Sequence, residues 1–152
     1  MIEVILYEPE IPPNTGNVAR LCAATQTPLH LIEPLGFSLD DRHLKRAGLD
    51  YWPAVNLTVW PDWEKFLAGW TGGRLVLTSA RQGRPCHRFD FQDGDGLVFG
   101  PETRGCPPEL LAAHGGRVVN IPISGPVRSL NLSTAVGIVL YEAMRQTGGF
   151  GP

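Results

Sequence analysis

The last third of the chain, Val118 to Arg145, constrains the fold more than any other stretch. Val118 to Ile123 is a short apolar run of strand type. A loop with Gly125, Pro126 and the polar trio Arg128, Ser129 and Asn131 follows. A helix begins next, capped by Asn131 or Ser133, both good N-cap residue types. Leu132, Val136, Val139 and Ala143 recur at helical spacing as one apolar stripe, while Ile138 and Leu140 put apolar side chains on other faces. A helix that is apolar nearly all round is covered on more than one side. In a chain of 152 residues the second cover expected is another copy of the chain. The loop then lies at the mouth of a buried strand and a buried helix, where ligand sites are usually built.

Upstream, strand and helix patterns alternate. Glu3 to Tyr7 reads as a strand ended by Pro9, Pro12 and Pro13, and Asn14 to Thr25 as a helix with Val18, Leu21 and Cys22 turned inward. Leu29 to Ile32 is a second strand and Asp40 to Ala47 a short helix. On that helix Arg42, Lys45 and Arg46 share a face, either as a solvated surface or as a phosphate contact. Val55 to Val59 is a strand, Trp63 to Trp70 a helix, and Leu75 to Ser79 and Leu97 to Gly100 are apolar runs typical of strands covered on both faces. A polar loop with Arg81, Arg84 and Arg88 separates those two runs. Pro107-Pro108 opens a helix over Glu109 to His114. Such alternation predicts an α/β fold, a mainly parallel sheet with helices on both faces. One domain over residues 1–147 is expected, with a flexible tail at 148–152.

Composition excludes several classes. No apolar run approaches the length of a membrane span, and Met1 to Val4 lacks the basic start of a signal peptide, so a cytoplasmic protein without membrane contact is expected. Cys22, Cys86 and Cys106 are widely spaced and odd in number, which suits a reducing compartment. The four histidines show no ligand spacing, and no metal site is expected. A net charge of −2 argues against a uniformly basic surface, although eleven of the thirteen basic residues are arginine.

Three loops carry the unusual residues. Gly100-Pro101 ends a strand with exposed backbone, and Glu102 and Arg104 project beyond it, as a ligand-facing turn or as a surface ion pair. Asn14, Asn17 and Arg20, spaced by three, are expected on one side of the first helix near its anion-favouring N-terminus. Gly125 to Asn131 is the third. Neither a dinucleotide fingerprint, a phosphate-binding P-loop nor a nucleophile elbow is present.

Together, Asn14-Thr-Gly-Asn-Val-Ala-Arg20, Phe99-Gly-Pro-Glu-Thr-Arg-Gly105 and Arg128-Ser-Leu-Asn-Leu-Ser133 resemble the three motifs of the SPOUT-class (TrmH-like) RNA 2′-O-methyltransferases. Leu6 to Pro12 and Leu44 to Tyr51 narrow the resemblance to the small tRNA (cytidine/uridine-34 2′-O)-methyltransferases of the TrmL type. The resemblance implies a C-terminal trefoil knot, against the usual absence of knots. It also implies S-adenosyl-L-methionine as cofactor, a homodimer, and tRNA gripped at its anticodon stem-loop. Matched residue by residue, it gives Leu77, Gly100, Ile121 and Ser129 to the cofactor, held largely through backbone groups, with Leu130 lining the adenine pocket. Arg20 takes the place of the catalytic arginine, Asn14 belongs to the same catalytic motif, and Glu102 and Asn131 match supporting polar residues. Tyr141 falls at a dimer- and site-associated tyrosine.

The activity so implied is 2′-O-methylation of the tRNA wobble nucleotide. Arg20 is either the base or a cation that holds the neighbouring phosphate and the developing oxyanion, and a guanidinium is a poor proton acceptor. No additional RNA-binding domain like that of larger relatives is expected, which leaves Arg42, Arg46, Arg81, Arg84 and Arg88 as candidates for gripping RNA. Another RNA target such as rRNA, or a non-catalytic knotted RNA-binding dimer, are the rival readings.

Overall fold

The computed structural model describes residues 1–48 and 51–151. Leu49, Asp50 and Pro152 lie outside the described residues, and with them part of the Leu44 to Tyr51 segment and the last residue of the tail. Seven strands form one sheet in the order β3-β2-β1-β6-β4-β7-β5, and every neighbouring pair is parallel. They are β1 (Glu3–Tyr7), β2 (Leu29–Ile32), β3 (Leu57–Trp60), β4 (Leu75–Thr78), β5 (Arg84–Pro85), β6 (Gly96–Phe99) and β7 (Val118–Asn120). The helices are α1 (Pro12–Thr25), α2 (Arg42–Gly48), α3 (Trp63–Gly69), α4 (Pro108–Ala113) and α5 (Leu132–Thr147).

Because alternate residues of a strand point to opposite faces, the sheet feeds two cores. Val4, Leu6, Leu97, Phe99, Val76 and Val119 pack on one side with Val18 and Cys22 of α1 and Val136, Val139 and Leu140 of α5. Ile5, Val98, Leu75, Leu77 and Val118 pack on the other with Phe66 of α3 and Leu111 of α4. The helices therefore cover both faces, as the α/β pattern predicts.

Several boundaries differ from the sequence reading. Helix α1 starts at Pro12, not Asn14. Two prolines in the first turn lack an N–H that would need a partner there and have φ preset for a helix. No side chain caps it from Ile11. Strand β7 stops at Asn120, before Pro122 removes a ladder donor. Strand β5 lies within the expected polar loop; only Arg84 and Pro85 pair with the edge of β7, too few residues to leave a pattern. Of the two caps considered for α5, Asn131 acts: its side chain accepts from the backbone N–H groups of Ser133 and Thr134. Residues 148–151 of the expected tail carry the helix stop, with Gly148 left-handed (φ 73°) and donating to the carbonyl of Met144.

The apolar stripe on α5 is as expected, but Leu140 belongs with it. It is fully buried in the same core, as is Val139 at 1% exposure, whereas Ile138 and Tyr141 are 40% and 46% exposed. Leu140→Ala is therefore expected to lower the free energy of unfolding by about 2–5 kcal/mol. Urea denaturation checks it; a loss below about 1 kcal/mol would place Leu140 on the outer face after all.

Candidate active site

Three adjacent strands, β6, β4 and β7, release their chains at the same edge of the sheet. Strand carboxyl ends are where parallel sheets build ligand crevices. A cleft of about 1100 Å³ opens there. Its walls come from the ends of the three strands and the segments that leave them, residues 78–83, 99–106, 118–121 and 123, together with residues 128–130 and 132 at the start of α5. Apolar surface comes from Ile121, Leu130, Ala135 and Val139.

The turn after β6 is made of closely packed backbone. Gly105 is left-handed (φ 69°) and donates to the carbonyl of Pro101 at 2.8 Å. A Cβ at Gly100 would fall inside the backbone of Gly105 and Cys106. Gly100 is thus required by the turn's own closure, and a side chain there would displace the turn before it reached any ligand. Cys106 lies beneath, and burial pushes its thiol up to about 12, against one backbone hydrogen bond that lowers it.

Glu102, Asn14 and Asn131 are brought together as one hydrogen-bonded chain. The Glu102 carboxylate accepts from the backbone N–H of Glu10 and of Ile11, both at 2.8 Å, and from Asn14 Nδ2 at 3.2 Å. Asn14 Oδ1 in turn accepts from Asn131 Nδ2 at 2.9 Å. Asn131 Oδ1 then caps α5, accepting from the Ser133 N–H at 2.9 Å. Asn14 is 7% exposed, so its amide has both ends satisfied inside the protein. The chain joins the β1–α1 connection, the turn after β6 and the start of α5.

A second staple runs beside it and left no mark in the sequence reading. The Glu10 carboxylate accepts from the Thr103 N–H at 2.8 Å and from its hydroxyl, and Arg104 donates to Glu8 at 3.3 Å. Hydrogen bonds from Thr103 hold the Glu10 carboxyl below its ordinary value. Burial, with Glu8 next to it, pushes the Tyr7 phenol up to about 12. The signal was available as acidic residues at 8 and 10 against a hydroxyl and a cation at 103 and 104. Nothing in the sequence, however, pairs positions so far apart.

Arg20 does not share a side with Asn14. Asn14 is buried, while Asn17 and Arg20 are exposed, because at about 3.6 residues per turn residues six apart lie about a third of a turn from each other. Arg20 also stands in the third turn of α1 and not at its N-terminus. Its guanidinium lies over the ring of Tyr51, 4.9 Å from the centroid. Gly100, Ile121, Ser129 and Leu130 line the cleft. Leu77 does not; its side chain is fully buried in the core with Phe66 and Leu111, one residue before the cleft-lining Thr78. Arg42, Lys45 and Arg46 on α2 are exposed, as are Arg81, Arg84 and Arg88.

The model of the SpoU rRNA Methylase family matches residues 1–141. The chain belongs to the SpoU methylase family. This SpoU-family chain is 49% identical over 150 residues to the tRNA (cytidine(34)-2′-O)-methyltransferase of Escherichia coli strain K12, covering 97% of its own length and 95% of that protein's. It also resembles, at TM-score 0.91 and 52% identity, a chain solved for structural insights into the 2-OH methylation of C/U34 on tRNA, covering 96% of this chain and 95% of that one. A third likeness is to the AdoMet-bound rRNA methyltransferase of Sinorhizobium meliloti, at TM-score 0.84 and 27% identity, covering 95% of this chain and 56% of that one.

The Glu10 staple has a pH signature. A carboxyl held below its ordinary value of 4.5 contributes its stabilisation in full above that pH and loses it as pH falls through the lower folded value. Glu10→Gln should therefore be less stable than the parent near neutral pH, and the gap should close in acid. Urea midpoints measured across that range check this; a gap independent of pH would remove the charge from the account.

Proposed function

We propose that this SpoU-family chain transfers a methyl group from S-adenosyl-L-methionine to the ribose 2′-oxygen of the wobble nucleotide of tRNA, position 34, a cytidine or a uridine derivative. The observation that carries this reading is the near full-length 49% identity to a tRNA (cytidine(34)-2′-O)-methyltransferase, in which the polar loops of this site fall within the matched length. A cleft walled by peptide groups and by Ile121, Leu130 and Val139 suits a nucleoside-bearing cofactor, since flat apolar surface and backbone polar groups are what an adenine and a ribose need. Gly100, Ile121, Ser129 and Leu130 would hold it, with the backbone of Leu77 at the end of β4 beside Thr78.

Bound there, the cofactor supplies a methyl group already activated by a positively charged sulfur. The protein's share is then alignment of the ribose oxygen and management of its charge. In this reading Glu102 and Asn14 are the frame: all three donors on the Glu102 carboxylate come from the protein itself, which favours a holding role over a proton-accepting one. Asn131 fixes the start of α5 beside Ser129. Arg20 is the cation that holds the neighbouring phosphate and stabilises the developing oxyanion.

The proposed unit is a single methyltransferase domain over residues 1–147, acting as a homodimer in the cytoplasm on the anticodon stem-loop. The outward residues of α5, Ile138 and Tyr141, with the Phe150 ring tilted against Tyr141 at 5.3 Å between centroids, supply an apolar face for a second copy. Among the described residues no helix is long and apolar enough to cross a membrane. A trefoil knot is part of the proposal. Strand β7 sits between β4 and β5, which are joined by residues 79–83 alone, so this short connection crosses β7. Gly83 lies against the Val118 backbone and its carbonyl accepts from Asn120 Nδ2 at 3.0 Å. The chain leaving β7 therefore has little room except through that loop.

Arg20→Ala should lower methyl transfer to tRNA by about two orders of magnitude or more and leave cofactor affinity within about threefold, because the side chain lies outside the cofactor cleft. Nucleoside mass spectrometry of tRNA treated with the purified protein, with the site mapped to position 34, tests the activity and the variant together. Unmethylated position 34 with wild-type protein, or full transfer by Arg20→Ala, would overturn the reading.

A further inference from the structure

Arg20 has to be held in place without losing its charge, and its surroundings show how. It is exposed on α1, on a long side chain whose freedom would otherwise scatter the guanidinium over many positions. A carboxylate partner would fix it, but would also neutralise it and occupy its N–H donors. The contact observed is of another kind. The Arg20 Cζ stands 4.9 Å from the centroid of the Tyr51 ring, well inside the distance at which an aromatic face attracts a cation. A ring face takes up none of the N–H donors at the edge of the guanidinium.

Tyr51 is itself anchored. Its carbonyl accepts from the Ala54 N–H at 2.9 Å, closing the short helical turn Trp52–Ala54. Trp52, the next residue, is half-buried and packs against the core shared by α1 and α5, so the ring is carried on an anchored neighbour. Tyr51 remains 37% exposed, with one side of the pair open to solvent.

We propose that Tyr51 is a positioning residue for the methyl transfer: its ring holds the Arg20 guanidinium by a cation–π contact and leaves the N–H donors directed at the phosphate or 2′-oxygen of the RNA. The proposal rests on the reading that Arg20 serves the RNA, and goes beyond it by assigning what orients that side chain.

The test combines kinetics with a spectroscopic signature. In the folded protein the Nε–Hε resonance of Arg20, assigned by its loss in Arg20→Ala, should be shifted upfield by the ring current of residue 51. It should keep that shift in Tyr51→Phe and lose it in Tyr51→Leu. In parallel, Tyr51→Leu should lower kcat for tRNA methylation by about five- to thirtyfold, with the KM for S-adenosyl-L-methionine unchanged, while Tyr51→Phe stays within about threefold of the parent. An unshifted Arg20 resonance, or wild-type kcat in Tyr51→Leu, would overturn the proposal and leave the function standing. A loss in Tyr51→Phe as large as in Tyr51→Leu would also overturn it, because the hydroxyl and not the ring would then matter. If Arg20→Ala methylates at the parent rate although the parent protein shows the ring-current shift, the role given to Arg20 fails and takes the proposal with it.

Discussion

The Glu102 carboxylate, with two backbone N–H groups and one side-chain amide directed at it, is the interaction on which the site depends. It stands where α1 begins, and α1 begins with prolines, preceded by a residue that offers no side-chain cap. The acceptor that serves the N–H groups of Glu10 and Ile11 thus comes from a turn more than ninety residues later. Hydrogen bonds to a charged group contribute about 1.5–3 kcal/mol, and leaving the donors unpaired costs a similar amount. That is a large share of the stability of a small domain. The same carboxylate orients Asn14, Asn14 orients Asn131, and Asn131 sets the first turn of the helix that walls the cleft.

From this linkage the division of labour in the site follows. The parallel sheet delivers three strand ends to one edge, and the turns that leave them are built from backbone so close-packed that Gly100 tolerates no side chain. Specificity for a cofactor then comes from the shape of fixed peptide groups. A preorganised wall of this kind needs no rearrangement at the moment of reaction. Arg20, the residue proposed to meet the RNA, lies apart from that wall, with its guanidinium over the Tyr51 ring. In the proposed function, cofactor binding and substrate orientation fall to different parts of one hydrogen-bonded and packed frame.

Much of this was legible in the chain. The buried strands announce themselves as apolar runs, and the stripe on α5 as a helical period, because burial on one face leaves a local repeat. The three polar loops were visible as clusters of amide, carboxylate and arginine. The failures share one cause. Spacing alone puts Leu140 on a different face from the main stripe, because it gives directions around an ideal helix but not the width of the groove that receives it. The start of α1 depended on Pro12 and Pro13 being inside the helix, with the N–H groups of Glu10 and Ile11 just before them served by Glu102. The pairings of Glu10 with Thr103 and of Arg84 with Val119 depend on contacts between distant segments, which local pattern does not record.

The loops form one mechanical unit linked through Asn14, and a double-mutant cycle between Glu102 and Asn131 tests that linkage. Glu102 and Asn131 each bond Asn14 and not each other, so their coupling reports transmission through the amide between them. Unfolding free energies of Glu102→Ala, Asn131→Ala and the double variant should be non-additive by at least about 0.5 kcal/mol, the second substitution costing less once the first has been made. Additivity within about 0.3 kcal/mol would show two independent contacts and contradict the account of a single frame.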